Sequence, residues 1–191
     1  MKWLCLLLIA IFLPWGSSAS STNSAAERMQ KKLQHLGSNG SLPHPDETPT
    51  KFTEDEINSY LNSDLVVLPD GVQQVHFSGQ SGALTATARV DFDKIKIMSG
   101  RSSSNPLLLI FTGVHDILVA AHAHGAGHEG FVHVDSLQLD GVEVPEFALR
   151  LFVEKYLQPK YPDIGIDSRF GLPDRIDTAH IGDHELAVTQ K

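Results

Sequence analysis

The chain has 191 residues and a formal charge of −8 at pH 7, from 15 Lys+Arg against 23 Asp+Glu. An acidic chain without a basic cluster is a poor partner for nucleic acid or for an anionic membrane surface, because like charges repel. Its single cysteine, Cys5, lies in an N-terminal apolar run, so the body of the chain has no thiol for a disulfide, a zinc thiolate site or a cysteine nucleophile.

Met1-Lys2 is a short basic start, Trp3 to Trp15 is apolar, and Ser17-Ser18-Ala19 offers small residues for cleavage. This is the pattern of a signal peptide over residues 1–19. Thirteen residues at about 1.5 Å each fall short of a hydrocarbon core of about 30 Å. The expected location is periplasmic or extracellular, with an uncleaved membrane anchor as the alternative. No stable transmembrane span is expected after cleavage.

Residues 20–50 read as a flexible N-terminal segment and linker, and residues 51–191 as a single α+β domain. Ala25, Met29, Leu33 and Leu36 have helical spacing, so the segment carries a short helix. Gly37 to Thr50 is linker by composition, rich in Gly, Ser and Pro. Thr53-Glu-Asp-Glu56 has the form of a capping box, with Phe52 and Ile57 in the flanking apolar positions. The helix it opens has one apolar face, Ile57, Tyr60 and Leu61.

Val72 to Gln80 and Ala83 to Phe92 predict a hairpin. In the second strand Leu84, Ala86, Ala88, Val90 and Phe92 alternate with polar residues, as a half-buried antiparallel strand requires. Ile95 and Ile97 have the opposite parity, which calls for a bulge or a short helix. Asn105-Pro106 reads as a cap followed by proline at a first helical position, with Gly113 closing the apolar run Leu107 to Phe111, which predicts a short buried helix, with a strand as the alternative. Val114 to His124 and Glu129 to Leu139 form the longest predicted hairpin, around Gly125-Ala-Gly-His128. Ile164 to Leu172 alternates again, with Ile166, Ser168, Phe170 and Leu172 inward. Arg175 to Ile181 and His184 to Gln190 flank Gly182-Asp183, a two-residue turn with glycine first.

Between the last two hairpins lies the stretch Val142 to Pro159. Pro145 suits a helix start, and Pro159 and Pro162 end the helix. Phe147, Ala148, Leu149, Leu151, Phe152, Val153, Tyr156 and Leu157 point in nearly every direction around its axis, with Glu146, Arg150 and Glu154 as the polar stripe. A helix so apolar is expected to be surrounded. The fold class that follows is α+β: a curved, mainly antiparallel sheet of about seven strands wrapped around this long helix, with one or two shorter helices.

Catalytic motifs are absent from the sequence. Ser78-Gly-Gln-Ser81-Gly82 lacks the spacing of a nucleophile elbow and falls in a hairpin turn. There is no phosphate-binding loop, dinucleotide fingerprint or His-Glu-x-x-His helix. No cofactor is implied, and the reading leans away from an enzyme, although residues scattered along the chain leave a hydrolase open. Two binding sites are candidates. Half of the ten histidines lie between His115 and His133. With a four-residue loop, His122, His124, Glu129 and His133 share one strand face. His122, His124 and His133 are then candidate metal ligands, against the plainer account of a solvated polar face. The second candidate is the opposite face, where Ala86, Ala88, Ala121 and Ala123 are small and inward. Either the helix packs close against them, or they line an apolar cavity with Phe147, Leu151 and Phe152.

Phe52-Thr-Glu-Asp-Glu-Ile-Asn-Ser-Tyr-Leu61, Val144-Pro145 before the apolar helix, Gly171-Leu-Pro173 with Ile176, and Ile181-Gly-Asp-His-Glu-Leu-Ala-Val188 form a succession that resembles bacterial envelope lipid-binding domains related to the tubular lipid-binding superfamily. The resemblance implies a strongly curved sheet wrapped around a long helix, with an apolar ligand between them. The expected function is a non-catalytic, monomeric, exported protein that binds a lipid or other apolar small molecule. The alternatives are a structural or interaction module of the envelope with a filled core, and a metal-binding protein built on the histidine-rich hairpin.

Overall fold

A computed structural model describes residues 24–99, 105–159 and 161–191. The predicted targeting segment, residues 1–19, lies outside the described residues. Among those described are four α-helices and nine strands in one antiparallel sheet, against the seven expected. The two additions are short edge pieces, β1 (Thr50–Thr53) and β6 (Val142–Glu143).

Helix α1 (Ser24–Gly40) buries Ala25, Ala26, Met29 and Leu36, the face its spacing predicts. The expected flexible segment before Lys51 is instead packed into the same core as the sheet. Asn39 and Gln190 are both buried, and Asn39 Nδ2 donates to Gln190 Oε1 at 2.7 Å. Gln190 Nε2 in turn donates to the Leu36 carbonyl at 2.8 Å. Composition reads glycine and proline as freedom, but here side-chain amides hold the chain across 151 residues of sequence.

Helix α2 (Glu54–Leu61) begins at the predicted capping box: Glu56 N–H donates to Thr53 Oγ1 at 3.2 Å, and Thr53 N–H donates to Glu56 Oε2 at 3.0 Å. Its Asn58 covers the edge of strand β2 (Val72–Gln80), donating to the Phe77 carbonyl at 2.8 Å and accepting the Phe77 N–H at 2.7 Å. A side-chain amide thus takes the place of a neighbouring strand, which blunts an edge otherwise open to pairing.

The hairpin of β2 and β3 (Ala83–Asp91) matches expectation, and the parity change at Ile95 is the helix α3 (Phe92–Ser99). A single 3-10 turn, Pro106–Leu108, is capped by Asn105, but it buries only Leu108 and, just beyond, Phe111. Strands β4 (Val114–Ala126) and β5 (Glu129–Leu139) are joined by two residues, so Ala126 pairs with Glu129 and His122 with His133. A four-residue loop would pair His124 with Glu129; the register differs by two, which leaves the faces as predicted. A bulge opposite Ala120–Ala121 absorbs Asp135 and keeps both Val134 and Leu137 buried.

Helix α4 (Glu146–Phe152) runs into a π-turn, Val153–Leu157, with Pro145 as its cap. Ala148, Leu149, Phe152, Val153, Tyr156 and Leu157 form one buried stripe. The expectation of a helix surrounded on all sides fails at Phe147, which is 56 % exposed beside Glu146 and Arg150. The last strands are β7 (Asp167–Gly171), β8 (Ile176–Gly182) and β9 (Glu185–Gln190). Gly182 pairs with Glu185, so the β8–β9 turn is Asp183-His184, and the positive φ falls on His184 at 56° rather than on a leading glycine.

Strand β4 organises the sheet. Along one edge it pairs with β3 as far as His122 and then with β8 at His124 and Gly125; along the other it pairs with β5. β5 carries β7 and β6 on its far edge, and β9 links β8 to β1. The sheet therefore changes partner within two residues of Ala123.

Candidate functional site

Antiparallel pairing sets Leu84 opposite Ala121, Ala86 opposite Val119 and Ala88 opposite Ile117. Ala86, Ala88, Ala121 and Ala123 are all buried, and Phe152 lies in the same core. Leu151 is partly buried against that core, whereas Phe147 points away from it. Beneath α4 the volume is filled by rings. Phe152 meets Phe111 at 4.3 Å between centroids, Phe92 at 5.4 Å edge-on, and Tyr156 at 5.2 Å. The seven predicted residues therefore divide: five are buried in one core, Leu151 borders it, and Phe147 is outside.

An apolar cleft with about 40 Å³ of free space lies where β4 changes partner. It is lined by Ala123, Gly130, Phe170 and Leu172 and by Ile176, Ala179, Ile181, Leu186 and Val188 of the β8–β9 hairpin. Two glycines permit this arrangement. A Cβ on Gly130 would stand 2.5 Å from the Phe170 ring, and one on Gly125 would stand 2.8 Å from Ala179 Cβ. Phe170 and Leu172 were legible from strand alternation. The hairpin residues were not, because nothing local states which strand β8 will meet.

On the solvent face His122 and His133 share one carboxylate, Asp135, which lies 4.0 Å from His133 Nε2. His122 Nδ1 lies 2.8 Å from Asp135 Oδ2, and His133 Nδ1 lies 2.6 Å from Asp167 Oδ1. The Asp167 hydrogen bond holds the His133 ring above the ordinary imidazole range. His124 stacks on Phe131, with centroids 5.0 Å apart, and Arg169 lies 4.7 Å from the centroid of that Phe131 ring. Among the described residues no group of three or more His, Cys, Asp or Glu side chains is arranged to hold a metal ion. The three predicted ligands share a face, as expected, but only His122 and His133 approach a common group, Asp135, while His124 stacks on Phe131.

A cluster that the sequence did not signal joins α2 to the last turn. Glu54 Oε2 lies 2.8 Å from His184 Nδ1 and accepts from Ser78 Oγ at 3.1 Å and the Gly79 N–H at 3.3 Å. Burial works to raise this carboxyl, but the three hydrogen bonds hold it below the ordinary carboxylate range. The serine donates to the carboxylate and not to the histidine, so the trio lacks the order of a nucleophile, base and orienting acid.

Fold and cleft together describe an α+β protein with an antiparallel sheet and a small apolar crevice at a sheet junction. No family model, curated protein or solved structure matches the chain. Among the described residues no helix is long and apolar enough to cross a membrane.

Proposed function

We propose that this is an exported envelope protein that binds a lipid or other apolar small molecule without catalysis, its sheet curving around α4 as in the tubular lipid-binding domains its sequence resembles. The observation that carries the reading is the cleft beside Ala123, lined by apolar side chains. Burying apolar ligand surface there is favourable at roughly 25 cal/mol per Å². At about 40 Å³ the closed cleft admits only a small group. An acyl chain therefore requires the cleft to widen. Across it β8 joins β4 through two residue pairs, His124 with His180 and Gly125 with Ala179, while β9 stays paired to β1. Native mass spectrometry of gently purified protein tests this. Co-purifying lipid is expected, and Ala123→Leu, which fills the cleft, should release it. Empty protein whose melting temperature does not move on adding phospholipid or fatty acid overturns the reading.

A second reading, an interaction module of the envelope, rests on a different observation. Leu107, Leu109 and Ile110 beside the 3-10 turn and Phe147 on α4 are exposed apolar side chains. Apolar surface of this kind is characteristic of contact sites. Cross-linking in the intact envelope separates the two: a protein adduct lost in Phe147→Glu supports the module.

A further inference from the structure

His115 begins β4 with acceptors at both ring nitrogens. Its Nε2 lies 2.8 Å from the Thr112 carbonyl oxygen, and its Nδ1 lies 2.6 Å from Asp140 Oδ2. A carbonyl can only accept, so Nε2 carries a proton. Asp140 also accepts the Asp116 N–H on its other oxygen at 2.9 Å, and the His115 and Asp116 hydrogen bonds together hold its carboxyl below the ordinary carboxylate range. Nδ1 therefore carries a proton too, and the ring is an imidazolium paired with a carboxylate.

We propose that this pair is a pH-sensitive latch, tying the start of β4 to residues 106–113 and to the Asp140-Gly141 turn, and that losing its proton unseats the aromatic wall beneath α4. Each tether has a structural consequence. Thr112 follows Phe111, whose ring lies 4.3 Å from Phe152 and 5.5 Å from Phe92. Asp140 and Gly141 both have positive φ, 49° and 81°, in the two-residue turn between β5 and β6. Asp140 N–H donates to the Asp116 carbonyl at 2.8 Å, so the turn is pinned to β4 on both sides of its side chain. The His115 ring packs 6.0 Å from Phe92.

The surrounding charges are already matched. Arg89 on β3 lies 3.6 Å from Asp116, Lys94 lies 3.7 Å from Asp91, and Lys96 lies 3.8 Å from Asp93. Asp93 also accepts the Gly113 N–H at 3.1 Å, and Lys96 donates to Thr112 Oγ1 at 3.0 Å. Histidine is the side chain whose charge changes near neutral pH, and His115 is the histidine of this junction. The Asp140 hydrogen bond, then the Thr112 carbonyl, hold its proton above the ordinary imidazole range, against a smaller effect of burial. The sign follows: the latch is complete below the ordinary imidazole value near 6.5 and is lost as pH rises through the higher folded value. The latch stands at the α4 end of the sheet, away from the Ala123 cleft, and does not depend on ligand binding.

Nitrogen NMR of the wild-type imidazole is expected to show both ring nitrogens protonated below pH 6.5 and a titration midpoint above that value. Its titration midpoint should fall in Asp140→Asn. Amide exchange at Leu109 and Phe111, corrected for the intrinsic rate at each pH, should lose protection through the same midpoint. The opening equilibrium should grow by about tenfold per unit of elevation of the His115 midpoint. A midpoint at or below 6.5 overturns the proposal, as does protection that stays flat while His115 titrates. Both readings use wild-type protein, so the test survives a variant that fails to fold.

Discussion

Glu56 is a buried carboxylate that serves two structures at once. It closes the capping box of α2, and it accepts from Lys32 Nζ at 2.6 Å and Arg28 Nε at 3.3 Å on α1. Burial works to raise its titration, but the hydrogen bonds from Lys32 and Thr53 and the nearby cations hold it below the ordinary carboxylate range. A lowered folded value contributes stability that is present above the unfolded value and lost as pH falls through the folded one. Glu56→Gln should therefore lower stability by about 1–2 kcal/mol at pH 7, discounted because Lys32 and Arg28 are partly solvated. The difference from wild type in urea denaturation should begin to close below the ordinary value of 4.5 and vanish as pH falls through the lower folded value, where wild type carries the neutral acid as well. A gap that is unchanged at low pH would mean that the charge contributes nothing. The capping box was legible because its partners lie three residues apart. The cations were not, being 24 and 28 residues away in sequence.

At the scale of elements, period two predicted the strands well, since each buried face repeats every second residue. Turn length was harder: Gly125-Ala-Gly-His128 reads as a four-residue loop, yet Gly125 and Ala126 continue β4 and Ala126 pairs with Glu129. Helix α4 shows why composition misled. Phe147 is apolar by type but sits on the stripe of Glu146, Arg150 and Glu154, opposite the buried one. The inward alanines likewise had two readings, close packing or cavity, and position along β4 divides them. Ala121 lies between Leu84 and Val134 in register, within filled core, whereas Ala123 borders the cleft. Ala121→Leu should be overpacked and lose about 1–3 kcal/mol. Ala123→Leu has free space to enter and should lose less. Denaturant midpoints of the two variants, with unchanged slopes, check the order; equal losses would mean that the cleft does not relieve the added methyl groups.

For the whole molecule, the sequence places a domain boundary near Lys51, whereas the structure closes the core with what precedes it. Met29 and Leu36 of α1 are 0 % and 1 % exposed and belong to the same core as Phe52 and Ile57. The first and last described elements meet there: Gln190 of β9 bonds to Leu36 and Asn39 of α1, and Arg175 Nη1 donates to the Leu42 carbonyl at 2.9 Å. The boundary looked natural because glycine, serine and proline cluster after Leu36, and composition cannot register a bond to residue 190. Deleting residues 1–50 removes two fully buried side chains, each worth about 2–5 kcal/mol when truncated in a core. It also uncovers Glu56 and the apolar face of α2. That loss is comparable with the whole stability of a domain, about 5–15 kcal/mol. A protein of residues 51–191 should therefore melt far below one of residues 24–191, or show no cooperative transition, and Met29→Ala in the longer protein should move the midpoint part of the way. If the shorter protein unfolds at the same denaturant concentration, α1 is an appendage and the core ends at Lys51 after all.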